Sequence, residues 1–164
     1  ETFKVDAKGR VSIPASFRRV IEACDPNWTA GSRQNIVIVY GGADRSFLEV
    51  YTMEAIEEID QQIDLMQRGS VERNEIEELM YGQSHEANID DDGRLVLPQK
   101  LREKIALDKE AFFVSSGTSF KIWDPVTYER EQAAIAAARA TERPKGYDPL
   151  VNLPNLPTQN PAGA

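Results

Sequence analysis

Phe3 and Val5 alternate with polar neighbours, and so do Val11 and Ile13, with Gly9 between the two pairs. A period of two on either side of a conformationally free residue predicts strand, tight turn, strand. Pro14 suits the first turn of a helix, where its missing N–H costs nothing. Phe17, Val20 and Ile21 then fall at i, i+3 and i+4, a stripe expected to face the core and leave Arg18, Arg19 and Glu22 outside. Residues 25–34, with Pro26, Asn27 and Gly31, read as a surface loop. Residues 36–40 and 47–51 predict a strand pair around the turn-forming segment 41–44.

The period changes after Tyr51. Ile56, Ile59, Ile63 and Met66 recur at 3-4-3 spacing with acids opposite, which predicts a helix. The segment 68–70 breaks that pattern, and Ser70 can cap a second helix carrying Val71, Ile76, Leu79 and Met80. Two-residue alternation then resumes at Leu95 and Leu97. A short helix from about Gln99 and strands near 111–114 and 120–123 follow. A last helix is expected from Asp124-Pro125 to about Ala140. Beyond Pro144 the tail holds Pro149, Pro154, Pro157 and Pro161 with little apolar content, and is expected to be mobile or extended.

Laid over one another, these patterns form an internal repeat. Asp6-Ala-Lys-Gly-Arg-Val-Ser-Ile-Pro-Ala-Ser-Phe-Arg18 aligns without gaps on Asp90-Asp-Asp-Gly-Arg-Leu-Val-Leu-Pro-Gln-Lys-Leu-Arg102. Asp, Gly, Arg, Pro and the final Arg are identical. The apolar positions correspond too: Val11 with Leu95, Ile13 with Leu97, Phe17 with Leu101. Further on, Leu48-Glu-Val-Tyr51 matches Phe120-Lys-Ile-Trp123, each ahead of a helix start at Thr52 or Asp124-Pro125. One copy of roughly 50 residues has too small a core to be secure alone. Two copies can pair pseudo-symmetrically and bury their apolar strand faces against each other.

Charge refines the picture. The net charge of −8 and pI near 4.8 argue against a nucleic-acid partner if taken as totals. Distribution matters more. Nine acids against Arg68 and Arg73 leave residues 54–79 at −7, whereas five bases against Glu1 and Asp6 leave residues 1–19 at +3. The single cysteine, Cys24, excludes a disulfide framework or a cysteine-rich zinc site within one chain, and fits a reducing compartment. No apolar run approaches the ~20 residues of a membrane span. The chain opens at Glu1 without a methionine, as expected of a trimmed N-terminus, and no signal-peptide pattern stands in these residues. Asn88-Ile-Asp90-Asp-Asp92-Gly93 superficially suggests a calcium loop. It offers Asn88 first and Gln99 where a bidentate Glu is needed, so the repeat explains it better. With His85 the only histidine, a Cys24–His85 dyad has little support, and no phosphate loop or nucleophile elbow is present.

The motif from Asp6 to Ala15, its second copy from Asp90 and the helices between them resemble the MraZ family. These are bacterial transcriptional regulators of the division and cell-wall gene cluster. The modules are similar to those of the wider AbrB, SpoVT and MazE group, and the resemblance runs from Phe3 to about Tyr128. It implies an α+β, β-rich fold of two tandem swapped-hairpin modules, a double-split β-barrel in pseudo-twofold arrangement, with connecting and C-terminal helices. The parts would be residues 1–53 (first module), 54–82 (acidic helical connector), 83–126 (second module) and 127–164 (C-terminal helix and tail). It also implies a cytoplasmic, nucleoid-associated protein that is not an enzyme and uses no cofactor or membrane. Its partners would be double-stranded promoter DNA, bound at tandem direct repeats usually as repression, and further copies of itself in a ring-shaped homo-oligomer.

Residue by residue, the family's DNA-contacting turn falls on Lys8, Gly9 and Arg10, with Arg94 at the second-copy position. Arg18, on the following helix, joins them as a candidate contact. Asp92 stands where Lys8 stands, so the first copy is expected to bind DNA and the second chiefly to complete the barrel. A structural reading competes at each arginine, in which Arg10 and Arg94 pair with Asp6 and Asp90 to brace their own turns. Two other functions compete at the level of the chain. One is an antitoxin-like interaction protein that neutralises a toxin through its acidic helices or tail; the other is an enzyme using Cys24 or the acidic cluster.

Overall fold

The computed structural model describes residues 1–157. Residues 1–130 form one compact unit and the residues from 131 onward a second. In the first unit β1 (Thr2–Lys4) and β2 (Arg10–Ser12) flank the first turn, followed by α1 (Ala15–Ala23), β3 (Asn35–Val39) and β4 (Leu48–Thr52). A connector of α2 (Met53–Asp64), α3 (Val71–Glu77) and a π-helical turn (Glu78–Gly82) leads to β5 (Ser84–Asn88) and β6 (Arg94–Val96). Then come α4 (Gln99–Lys104), β7 (Glu110–Ser116), β8 (Ser119–Trp123) and α5 (Pro125–Glu142), which continues into the second unit. The fold is α+β with antiparallel sheets, as expected.

The strands do not pair within each copy as a simple string of hairpins. A six-stranded sheet runs β1-β7-β8-β4-β3-β5, and β2 pairs with β6 in a separate two-stranded ladder. Exchanging the copies turns the first order into itself: β1 for β5, β7 for β3, β8 for β4. The registers obey the same exchange. Val11 lies opposite Leu95, and Glu49 opposite Lys121; each pair consists of positions that align in the internal repeat. Between β1 and β2 only a bridge from Val5 to Val11 remains. Each turn therefore carries the chain from the large sheet into the ladder, where its apolar residue meets the other copy's. Val11 and Leu95 are 1% and 0% exposed, which shows where the two copies share a core.

That core gathers Val5, Val11, Ile13, Ile21, Ile36 and Ile38 with Ile89, Leu95, Leu97, Leu101, Ile105, Phe113 and Phe120. β3 is apolar at every position from Ile36 to Val39 because both its faces are covered. Ile36 and Ile38 join the shared core, while Val37 and Val39 pack with Ile63, Met80, Ile56 and Ile59 under the acidic connector. Thr52 and Ser70 cap α2 and α3, their hydroxyls accepting from the Ala55 and Arg73 N–H groups at 3.2 and 3.3 Å.

Three expectations need correction. Val20 is 46% exposed: α1 lies on the core through Phe17, stacked on Phe120, and through Ile21, so the buried stripe is one line of side chains wide. Val71 is also exposed, at the capped first position of α3, and the inward contacts fall to Ile76, Leu79 and Met80. In the second unit, the segment expected to be mobile or extended holds a 3-10 turn at Pro149–Asn152. Asp148 caps it, and Asn152 Nδ2 donates to the Tyr147 hydroxyl at 2.6 Å. Its Leu150, Val151 and Leu153 are exposed, and Pro161 lies outside the described residues.

Candidate nucleic-acid interface

Alternation in the β2–β6 ladder sends Val11 and Leu95 inward and leaves Arg10, Ser12, Arg94 and Val96 on the opposite face. Ser12 sits across from Arg94, and Arg10 across from Val96. Two guanidiniums related by the exchange of copies thus share one small outward face, each at the end of its own Asp-to-Arg turn.

The turns are built alike. In the first, the Gly9 N–H donates to the Asp6 carbonyl at 2.9 Å and the Asp6 N–H to the Arg10 carbonyl at 3.1 Å. One Asp6 carboxylate oxygen accepts from the Lys8 and Arg10 N–H groups, both at 2.9 Å, and the other from Arg10 Nε at 2.6 Å. In the second, Gly93 and Asp90 make the same backbone bonds. Asp90 accepts from the N–H groups of Asp92 and Arg94 at 2.9 and 2.8 Å, and from Arg94 Nε at 3.0 Å. The structural role weighed for both arginines is therefore present. Because only Nε is used, it leaves the far edge of the guanidinium available. At Arg10 that edge makes no hydrogen bond among the described residues. At Arg94 half of it is engaged, since Nη2 donates to Asp92 Oδ2 at 2.8 Å.

These donors hold both aspartates ionised. The hydrogen bond from the Arg10 N–H, with those from its guanidinium and the Lys8 N–H, lowers Asp6 from its ordinary 3.8 against a desolvation that pushes it up. At Asp90 desolvation pushes upward, but the Arg94 and Asp92 N–H groups and the Arg94 guanidinium outweigh it, with a net lowering. A carboxylate lowered on folding adds stability that is complete above its unfolded pKa and fades as pH falls through the folded value. Wild-type protein is therefore expected to lose denaturation midpoint between about pH 5 and pH 3 more steeply than Asp90→Asn, which keeps an acceptor but cannot titrate. Urea titrations at intervals across that range check this; parallel losses would mean the turn is not what acid breaks.

The turns are also locked across the copies. Leu97 N–H donates to the Gly9 carbonyl at 2.8 Å and Ile13 N–H to the Gly93 carbonyl at 3.0 Å. Both glycines are buried with positive φ, +81° and +73°. Beneath Gly9 lies Arg102, whose Nε donates to the Leu97 carbonyl at 3.0 Å; beneath Gly93 lies Arg18. The identical final arginine of each repeat thus underlies the other copy's turn. Arg18, expected as a nucleic-acid contact, has its Nε buried without a partner there. The alignment showed that Arg18 and Arg102 were equivalent, but not that they cross.

Lys8 is exposed and has no ion pair among the described residues, so of the five candidates Lys8 and Arg10, flanking the buried Gly9, put two cations on one turn, Arg10 tied to Asp6 through Nε alone. Among the described residues no group of three or more His, Cys, Asp and Glu could hold a metal ion. Burial, with Glu54 beside it, pushes the Cys24 thiol up from 9.0, away from the thiolate. No helix among the described residues is long and apolar enough to cross a membrane.

Residues 80–146 match the family described as "MraZ protein, putative antitoxin-like". Across its length the chain is similar to the protein called transcriptional regulator MraZ in Ruegeria pomeroyi, 56% identical over 92% of this chain and 90% of that one. The protein of that name from Cereibacter sphaeroides is 43% identical over 90% and 89% of the two chains. The one from Rickettsia akari is 32% identical over 77% and 79%.

Proposed function

The chain belongs to the MraZ family, and on that premise we propose that it is a sequence-specific DNA-binding transcriptional regulator whose contact surface is the outward face of the β2–β6 ladder with its first turn. One observation carries this reading. The Lys8-Gly9-Arg10 turn projects an unpaired ammonium and a guanidinium whose Nε alone is tied back, so its outer edge is pre-oriented and unspent. Such a fork suits two acceptors on a guanine edge or a phosphate, with Lys8 as a neighbouring phosphate contact. The acidic connector, at −7, would repel DNA and leave approach to the first turn, at +1.

The finer reading follows the family. The modules are double-split barrels of the AbrB kind, made of residues 1–53 and 83–126 and joined by the connector at 54–82. Several chains in a ring place several such turns on tandem direct repeats of the promoter of the chain's own division and cell-wall cluster, as a nucleoid-associated repressor in the cytoplasm. One turn has too few bases to bind tightly, and multivalency supplies the avidity. Gly93 and Arg94 complete the second module, Arg18 supports its turn, and no catalytic step is assigned to the chain.

The test is fluorescence anisotropy with the gene's upstream region against scrambled duplex, over a salt series. Arg10→Ala is expected to cost on the order of tenfold to a hundredfold in specific affinity, the worth of one bidentate base contact. Arg94→Ala should cost far less. Specific binding that survives Arg10→Ala would move the contact surface elsewhere. The family description also supports a second reading, an antitoxin-like protein. It would be favoured if folded, assembled protein showed no preference for the upstream DNA and instead co-purified with a stoichiometric small partner.

A further inference from the structure

The two turns match in backbone hydrogen bonding and in the tie from Nε to aspartate, yet they spend their arginines differently. We infer that Asp92 silences the second turn: its carboxylate takes Nη2 of Arg94 and puts a negative charge where nucleic acid would approach, so each chain presents one anion-binding turn where its symmetry offers two. The inference rests on reading the β2–β6 face as the DNA surface.

Three observations carry it. The first is position: Arg10 and Arg94 lie on the same outward face, so DNA lying along that face meets both. The second is charge. Lys8 and Arg10 against Asp6 leave the first turn at +1, whereas Arg94 against Asp90, Asp91 and Asp92 leaves the second at −2. The third is that the Asp92–Arg94 pair has little structural purpose. Asp92 is 74% exposed, Asp90 already anchors Arg94 through Nε, and exposed ion pairs add little to stability. Its consequence is what it withholds. A phosphate approaching Arg94 meets the Asp92 carboxylate already on Nη2, while Asp91 pairs with Arg33 at 3.3 Å.

The asymmetry gives the chain a direction. Two equal turns related by a pseudo-twofold axis would meet a duplex alike in either orientation. Silencing one removes that equivalence.

The test compares wild type, Asp92→Asn, Asp92→Lys, Arg10→Ala and Arg10→Ala/Asp92→Lys on the upstream duplex and a scrambled duplex over a salt series. Circular dichroism and thermal melting confirm that each variant is folded. Asp92→Lys is expected to tighten binding to scrambled duplex by roughly threefold to tenfold at low salt, and to steepen the slope of log affinity against log salt by about one. Asp92→Asn should tighten it by less, and the double variant should recover part of what Arg10→Ala loses. Wild-type affinity and slope in both Asp92 variants, alongside loss of binding in Arg10→Ala, would overturn the inference and leave the DNA surface in place. Unchanged binding in Arg10→Ala would remove that surface, and the inference with it.

Discussion

Leu95→Ala should destabilise the protein by about 2–5 kcal/mol, a large share of the ~5–15 kcal/mol that holds a domain of this size together. Leu95 is fully buried at the centre of the ladder, facing Val11 across the line on which the two copies meet. Truncating it removes apolar contact from both copies at once. The cavity can collapse little, because the ladder is only three residues long and each end is tied by a carbonyl of the opposite turn, Gly9 to Leu97 and Gly93 to Ile13. Val96, the next residue, is 48% exposed on the other face, and Val96→Ala should cost under about 1 kcal/mol. Urea midpoints at equal slope compare the two. If Leu95→Ala costs no more than Val96→Ala, the shared core does not lie where the register puts it.

How much of this could be read in advance differs from residue to residue. The repeat was visible because Asp, Gly, Arg and Pro recur at fixed offsets, and each has a backbone reason to be there: a turn acceptor, a positive φ, a tie back to the acceptor, a helix start. Val11 and Leu95 were equally visible as inward-facing. Their meeting face to face was legible only as the general statement that two copies can bury their strand faces together. That β2 leaves β1 for β6 is a matter of which edge buries more surface, and a period of two is blind to it. The i, i+3, i+4 spacing counts Val20 into the buried stripe, but α1 meets the core only through Phe17 and Ile21 and leaves Val20 exposed. The pairing of arginines with aspartates at i+4 within each turn was anticipated as an alternative to DNA contact. The structure has room for both, since Nε and the far guanidinium edge are separate donors. The insertion of Arg18 and Arg102 beneath the opposite turns had no signature, because a contact between copies leaves no periodic trace in either one.

That crossed arrangement makes the two turn glycines unequal, although the sequence treats them alike. A Cβ at Gly9 would clash with the Leu97 carbonyl and also lie 2.8 Å from Arg102 Nε; at Gly93 the nearest atoms all belong to the Arg18 side chain. Both residues have positive φ, which costs an alanine ~1–2 kcal/mol. Only at Gly9 does the obstacle include backbone, and that backbone is held by the hydrogen bond from Leu97 N–H to the Gly9 carbonyl. A side chain can swing aside, whereas the Leu97 carbonyl is main chain between β6 and α4 and cannot move without shifting the segment that joins them. Gly9→Ala should therefore cost about 2–5 kcal/mol, adding ~1–3 kcal/mol of overpacking to the conformational term. Gly93→Ala should cost nearer the conformational term alone. A double-mutant cycle separates the causes. Arg18→Ala is expected to absorb part of the Gly93→Ala penalty, while Arg102→Ala leaves most of the Gly9→Ala penalty standing. Equal rescue at both positions would mean that the two turns are limited by side chains alone. Because Gly9 fixes where Lys8 and Arg10 project, Gly9→Ala should also lose DNA affinity at temperatures well below its melting point. Gly93→Ala, in the turn whose arginine is already neutralised, should leave that affinity close to wild type.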